Sequence, residues 1–378
     1  MSRRRGNNEG TIARRADGRW EAKISLPGGQ RRSFYGRTQR EAQEKKTAAL
    51  HAVQRGIPVP GDALTVKDLL GAWLRDSAAQ RVRPTTLKSY ESKVRNHLIP
   101  AIGRVPITRL TPQHVEKMMN DQLAAGVPPR SVHHHRAVLR AALNVAMRWG
   151  LVDRNVASLA APPHIPDREV RALNTADAQA LLTAVSGDRL EALFTVALAV
   201  GLRQSEALGL QWGDVDLEGA TLTVQRTLQR VDRAYRFMEP KTQRSRRTIG
   251  LPLPVVRSLR EHRARQLENR LRAGSTWEGA GCGNLVFCDE MGAPLSGTHV
   301  TRRLQALLRA AGLPEMQYHG LRHGAATLMA AQGVTARDAM ETLGHSQIST
   351  TMEIYTHVAP EVQKDVAVRM AKALWGQS

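Results

Sequence analysis

The sequence predicts a mainly α protein with small β elements (α+β). A small strand-rich N-terminal domain is followed by a four-helix-type domain, then by a mixed, mainly helical domain that carries a β-hairpin. Three observations predict this. Period-two alternation is confined to two short regions, one ending at Tyr35 and one between Ala220 and Leu251. Elsewhere apolar residues recur at helical spacing behind Ser, Thr and Asn residues suited to capping. Two breaks, Pro58-Val59-Pro60-Gly61 and Ala161-Pro162-Pro163-His164-Ile165-Pro166, fall where proline resists helix. A chain of 378 residues is long for one compact domain. The breaks set the domains at 1–57, 62–162 and 168–378.

In the first domain, strands are expected over Thr11–Arg14, Trp20–Leu26 and Gln30–Tyr35, turned by Asp17-Gly18 and Gly28-Gly29. Trp20, Ala22, Ile24 and Leu26 share one face of the middle strand, and Glu21, Lys23 and Ser25 the other. A helix follows from Thr38 to about Arg55, opened by Thr38-Gln39-Arg40-Glu41 in the form of a capping box.

Four helices are expected in the second domain. Thr65 caps one carrying Val66, Leu69, Leu70 and Trp73. A second follows Pro84 and ends before Pro100. A third has Thr111 as cap and Pro112 at its first position, and stops at Gly126. A fourth starts at Ser131 with Val132, Leu139, Leu143 and Ala146 on one stripe. In the third domain, Leu190–Val200 reads as a core helix capped by Gly201. Ala220–Val231 and Tyr235–Leu251 read as strands, and Pro254–Ala273 and Thr298–Ala311 as helices. Val362, Val366, Met370 and Leu374 mark a terminal amphipathic helix.

Lys plus Arg number 55 against 34 Asp plus Glu, a net charge of +21, which favours a polyanionic partner, nucleic acid first. No run of about 18 apolar residues suggests a membrane span. Met1-Ser2-Arg3-Arg4-Arg5 has no apolar region behind it and reads as a basic arm rather than a secretion signal. Cys282 and Cys288 fit neither zinc spacing nor a disulfide framework, which points to a reducing cytoplasm. His133-His134-His135 would point about 100° apart on a helix, so they read as surface histidines, not metal ligands. Candidates for DNA contact are Arg14, Arg15, Arg19, Lys23, Arg31 and Arg32 in the first domain. In the second they are Arg81, Arg83, Lys88, Lys93, Arg136 and Arg140, and in the third Arg244, Arg246 and Arg247.

The third domain also holds Arg203-x-x-Glu206, Lys241, His319-x-x-Arg322, His345 and Tyr355. Guanidinium forks match the geometry of a phosphodiester and stay protonated, so Arg203 and Arg322 suit a clamp on a scissile phosphate. A lysine is protonated at neutral pH and can give a proton to a leaving oxygen, which the arginines nearby hold too tightly to do. Only about one tyrosine phenol in a thousand is ionised at neutral pH, so a tyrosine nucleophile needs a base. Tyr318 and Tyr235 read as structural tyrosines. Glu206, an acid among cations, reads as a partner that fixes the Arg203 loop. There is no Gly-x-x-x-x-Gly-Lys-Ser/Thr loop and no carboxylate cluster suited to Mg²⁺, so neither ATP nor a metal or other cofactor is expected.

The stretches Gly201-Leu202-Arg203-Gln204-Ser205-Glu206, His319-Gly320-Leu321-Arg322-His323 and Leu343-Gly344-His345-Ser346, with Thr350-Thr351 and Tyr355, closely resemble the tyrosine recombinases of the phage-integrase family. Residues 168–378 resemble its catalytic domain, 62–162 its helical core-binding domain, and 1–57 the arm-binding domain of lambda-type integrases. The resemblance implies transesterification at a DNA phosphodiester through a covalent 3′-phosphotyrosine on Tyr355. Arg203, Arg322, His319 and His345 would surround the phosphate, with His319 as proton acceptor and Lys241, on a β-hairpin, as general acid. It implies integration, and in some cases excision, of a phage or other mobile element. Implied partners are duplex DNA at core and arm-type attachment sites, an accessory excision factor, and further copies in a tetramer on DNA. In that tetramer Glu361–Trp375 docks onto a neighbour or folds back on its own domain. The setting implied is the cytoplasm of a bacterial host. Two alternatives are a type IB topoisomerase, which uses similar residues, and a non-catalytic DNA-binding regulator.

Overall fold

The protein is described by a computed structural model covering residues 10–25, 31–54, 64–166, 173–231, 234–240, 245–281, 283–344, 348, 352 and 355. The chain divides into two compact units, Met1–Asp167 and Arg168–Ser378.

In the first unit, β1 (Thr11–Arg14), β2 (Trp20–Ser25) and β3 (Arg31–Gly36) form an antiparallel sheet in the order β1-β2-β3. Ala22 lies opposite Ile12 and Phe34 in its register. Alternation turns Ala22 and Ile24 inward, and Ile24 meets Ala49 of helix α1 (Gln39–Gln54) in a small core completed by Phe34 and Leu50. Thr38 caps α1 by accepting the Glu41 amide at 3.2 Å, but the Glu41 carboxylate accepts from the Arg37 amide, so the expected box closes one residue early. On the open face, the Arg15 and Arg19 guanidiniums lie over the Tyr35 ring, 5.4 and 5.9 Å from its centroid.

The helical part begins with α2 (Val66–Trp73), where Thr65 and Asp68 cap each other's amides reciprocally. A π turn at Leu74–Ala78 leads into α3 (Ala79–Arg81). α4 (Pro84–Lys93) runs through a second π turn, Val94–Leu98, into α5 (Ile99–Ile102). The helical path therefore carries on through Pro100, where the sequence reading stopped it. The wider π turn shifts the hydrogen-bond ladder just where the proline lacks an amide and its ring would strike a carbonyl. α6 (Pro112–Ala124), α7 (Pro129–Arg148) and α8 (Val156–Leu159) complete the bundle, with α7 starting two residues earlier than the Ser131 expected. Leu69, Leu70, Leu98, Met118, Leu139 and Leu143 are fully buried at its centre. Leu139→Ala should lower the stability of this unit by about 2–5 kcal/mol, the range for deleting a buried leucine side chain, as read by urea unfolding.

Two side chains of α7 depart from expectation. His135 is buried, not on the surface. Its Nδ1 lies 2.8 Å from the Gln122 Oε1, its ring stacks on His97 at 4.0 Å, and burial pulls its pKa down to about 4. Arg136 is buried too and donates to the Ser158 carbonyl at 3.4 Å, so it does not face a nucleic acid. Both turn inward because the apolar stripe of α7 is wider than the four residues that announced it, taking in Val138, Ala142 and Val145.

In the second unit, Asn174 caps α9 (Thr175–Val185). α10 (Glu191–Val200) is buried almost all round and ends at Gly201, in the left-handed region with φ 68°. After α11 (Gln204–Leu208) come β4 (Val215–Asp216), β5 (Thr221–Val224), β6 (Thr227–Val231), β7 (Ala234–Met238) and β8 (Arg247–Gly250). These make two sheets: β4-β5-β8, and the hairpin β6-β7. The single strand expected over Ala220–Val231 is broken where Arg226 turns to the buried carboxylate of Asp214. α12 (Leu253–Ala273), α13 (Gly297–Ala310), α14 (Tyr318–Ala331) and α15 (Ala336–Leu343) follow. α10 packs against α12 and α14, and α15 rests on α14 and β8. Phe194, Leu193, Phe287 and Leu181 fill the core between them. Among the described residues no helix is long and apolar enough to cross a membrane. The basic arm, Leu26, the Gly28-Gly29 turn, the Pro58–Gly61 linker, Lys241, Arg244, Cys282, His345 and the terminal helix lie outside the described residues.

Candidate active site

The site is assembled around the C-terminal end of α15. The last carbonyls of a helix have no partner within it and carry the negative end of its dipole. Here three consecutive ones are taken by three arginines from separate segments. Arg247 on β8 donates through Nε to the Thr342 carbonyl at 2.6 Å. Arg322 on α14 donates through Nη2 to Leu343 at 2.6 Å, and Arg203 donates through Nη2 to Gly344 at 2.8 Å. Arg322 also reaches back through Nη1 to the Gly201 carbonyl at 2.7 Å. The two glycines are needed for this. Gly201 and Gly344 both hold positive φ, and a Cβ at Gly201 would collide with Leu343, one at Gly344 with the Arg247 guanidinium.

Glu206 sits beneath the cluster. Its Oε1 accepts from Arg203 Nη1 at 2.6 Å, and its Oε2 accepts from Arg247 Nη2 at 3.0 Å and from the Arg203 amide at 3.1 Å. Burial works against its charge, but Arg247 and Arg203 outweigh that and hold the carboxyl below its ordinary value. Arg322 is buried, and that burial, with the like charge of Arg203, lowers it to about 9, so it stays cationic at neutral pH. Of the three side chains, Arg203 keeps the most open edge, 34% exposed against 7% for Arg247.

His319 lies one helical turn before Arg322 on α14, and its ring meets His323 edge-on at 4.8 Å. The protein wall behind it, then the like charges of His323, Arg322 and Arg203, lower its pKa to about 4. It is therefore neutral at pH 7, and a weaker base than an ordinary imidazole until an anion offsets the like charges of Arg322 and Arg203. An NMR titration should find its midpoint near 4 rather than the ordinary 6.5. Tyr318 is buried, and desolvation pushes its phenol well above the usual range, so it cannot serve as a nucleophile.

Tyr355 is not with the arginines. Its hydroxyl donates to the Val334 carbonyl at 2.9 Å, just before Thr335, which caps the start of α15. Eight helical residues at about 1.5 Å each put that point roughly 12 Å from the carbonyls the arginines hold. Burial, with the charge of Asp338, raises the phenol above its ordinary value. The structure thus brings Arg203, Glu206, Arg322 and His319 together and leaves Tyr355 at the far end of α15.

Among the basic residues read as DNA contacts, Arg14, Arg15, Arg19, Lys23, Arg31, Arg81, Lys88 and Arg140 are exposed, and Arg32, Arg83 and Lys93 are half-buried. Arg246 is exposed and pairs with Glu239 at 3.1 Å. Arg247 is different: its guanidinium is buried on Glu206 and Thr342, and it does not present to DNA. Sequence reasoning missed this role, although Arg247 shares the period-two face of Ile249, which is buried.

A family model described as the phage integrase family matches residues 165–361, and one described as its N-terminal SAM-like domain matches residues 65–123. A tyrosine recombinase XerC-like protein of Caldanaerobacter subterraneus is 31% identical over 361 residues, covering 91% of this chain and 92% of its own length. An integrase of Streptomyces ambofaciens is 31% identical over 369 residues, covering 93% and 92%. Among solved structures, the Tn1549 transposon integrase in complex with transposon right end DNA superposes with a TM-score of 0.68 at 22% identity, covering 80% of this chain and 99% of that one. A lambda integrase tetramer bound to a Holliday junction gives 0.57 at 18% identity, covering 93% and 96%. The arginines at the α15 end, the neutral histidine beside them and the family match across residues 165–361 lead to one identity: the chain belongs to the phage integrase family, the tyrosine recombinases.

Proposed function

We propose that this site-specific DNA recombinase cuts and rejoins DNA with Tyr355 as nucleophile. The observation that carries the assignment is the pair of guanidiniums, Arg203 and Arg322, side by side on adjacent carbonyls with a neutral His319 one turn away. A scissile phosphate offers oxygens with more charge than those carbonyls, so it exchanges for them as ligand of the two forks. The Tyr355 oxygen attacks phosphorus, the bond to the 5′-oxygen breaks, and a 3′-phosphotyrosine forms. His319 takes the phenol proton, Lys241 gives one to the departing 5′-oxygen, and His345 adds a donor to the phosphate. Because the phosphotyrosine keeps the energy of the broken bond, attack by a 5′-hydroxyl reseals the strand without ATP. Tyr355 must first leave Val334, so cleavage requires a rearrangement that bound DNA drives.

The exposed basic residues of the sheet and of the bundle, Arg14, Arg15, Arg19, Lys23, Arg81, Lys88 and Arg140, support arm-type and core-type DNA contacts in domains 1–57 and 62–162. Four strands are exchanged in a recombination, so four active sites must meet. The lambda integrase tetramer on a Holliday junction supports the same assembly here, with Glu361–Trp375 as the candidate segment for docking onto a neighbour or folding back on its own domain. Work on chromosomal DNA places the protein in a bacterial cytoplasm.

The test uses a nicked suicide duplex carrying the attachment core read from the DNA that flanks the gene. A denaturing gel should show a covalent protein–DNA adduct, and digestion should yield a nucleotide-bearing peptide containing Tyr355. Absence of adduct under conditions where the duplex is bound would overturn the proposal. Relaxation of supercoils at any sequence without strand exchange would favour the topoisomerase reading.

A further inference from the structure

Arg247 is, we propose, a positioning residue for the cleavage reaction: it splints Glu206 and the end of α15 so that Arg203 can turn to the phosphate. The inference rests on the Arg203–Arg322 clamp proposed above. The three arginines on the α15 carbonyls are not equivalent. Arg203 and Arg322 must give up or share Gly344 and Leu343 when a phosphate arrives. Both would then release the helix end just as the segment leading to His345 and Tyr355 has to be placed. Arg247 keeps Thr342 through Nε, the Ser245 carbonyl through Nη1 and Glu206 through Nη2, and needs no bond to the substrate.

Through Glu206 the effect reaches Arg203. The same carboxylate holds the Arg203 guanidinium by one oxygen and its backbone amide by the other, and that second oxygen is the one Arg247 grips. Without Arg247 the carboxylate is free to rotate, and the Arg203 fork loses the fixed plane that makes it complementary to a phosphate. Lysine in this place can reach one of the three acceptors but not hold them in one plane.

The experiment measures single-turnover adduct formation by the full chain on the suicide duplex, with an ordinary scissile phosphate and with a methylphosphonate, which has lost its negative charge. Arg247→Met should bind the duplex within about threefold of the parent and form adduct at least tenfold more slowly. Arg247→Lys should fall between them. Because the defect acts through Arg203, it should shrink at least tenfold on the methylphosphonate. Arg203→Ala combined with Arg247→Met should be no slower than Arg203→Ala alone. An equal defect on both substrates, a multiplicative loss in the double variant, or no defect in either Arg247 variant would overturn the proposal. Should Arg247→Met not fold, the same two comparisons with Arg247→Lys decide it. Adduct formation by the parent chain is the control: its failure strikes the recombinase chemistry, whereas a failed Arg247 comparison with the parent active strikes only this inference.

Discussion

Replacing Tyr355 by phenylalanine should leave a protein that folds and binds DNA as the parent does and forms no covalent adduct. The change removes one hydroxyl and the hydrogen bond it shares between the Val334 and Thr335 carbonyls, at 2.9 and 3.4 Å, from a half-buried ring. Such a bond contributes about 0.5–1.5 kcal/mol net, too little to unfold a unit of this size. The chemical loss is far larger, because an enzyme deprived of its nucleophile loses on the order of 10⁶ in rate. Tyr318 cannot take over, since its ring is buried and its phenol holds its proton even more firmly. A gel shift beside a denaturing gel separates the two effects, and an adduct that survives the substitution would remove Tyr355 from the mechanism.

Glu206→Ala should be the most destabilising single change at the site. The carboxylate is 1% exposed and its partner Arg247 7%, so deletion strands a buried cation. Breaking a buried pair from one side costs about 3–5 kcal/mol. For a unit of roughly 200 residues that is a fall of about 6–20 °C in Tm. The pH dependence follows from the sign of the shift. A carboxyl held below its ordinary 4.5 contributes stability that is fully present above that value and is lost as pH falls through the lower, folded-state pKa. Glu206→Gln keeps the shape but not the charge, so its stability should decline less than the parent's on acidification. Thermal melts between pH 7 and pH 3 would show it, and parallel curves for the two proteins would discount the ion pair.

What could be read in the sequence was what is settled locally. Thr65 and Thr111 cap their helices because a hydroxyl reaches an amide three residues on, and Gly201 ends α10 because only glycine takes φ 68° without strain. Arg203, Glu206, His319 and Arg322 were legible as chemistry because the residue types are unusual together. Arg136, His135 and Arg247 were misread for one reason. Their partners, Ser158, Gln122 and Glu206, lie 22, 13 and 41 residues away, and the local signals, the width of the α7 stripe and the strand face shared with Ile249, show which way a side chain points but not the partner that holds it there. The π turn before Pro100 was hidden because it is the bundle, not the local sequence, that keeps the helix going there. The distance of Tyr355 from its partners was hidden too, since spacing along the chain says nothing of which end of α15 the ring occupies.

The carbonyls that hold the arginines give the free protein an internal counter-charge. Three guanidiniums crowded without one would repel each other and draw ions from solution. With a helix end and Glu206 in their midst, the site can form in the absence of DNA and without any dissolved ion. Added salt should therefore act on the two halves of the function differently. It strips DNA from the exposed lysines and arginines by competing for phosphate, while the shielded cluster, with Arg322 and Glu206 both out of solvent, keeps its geometry.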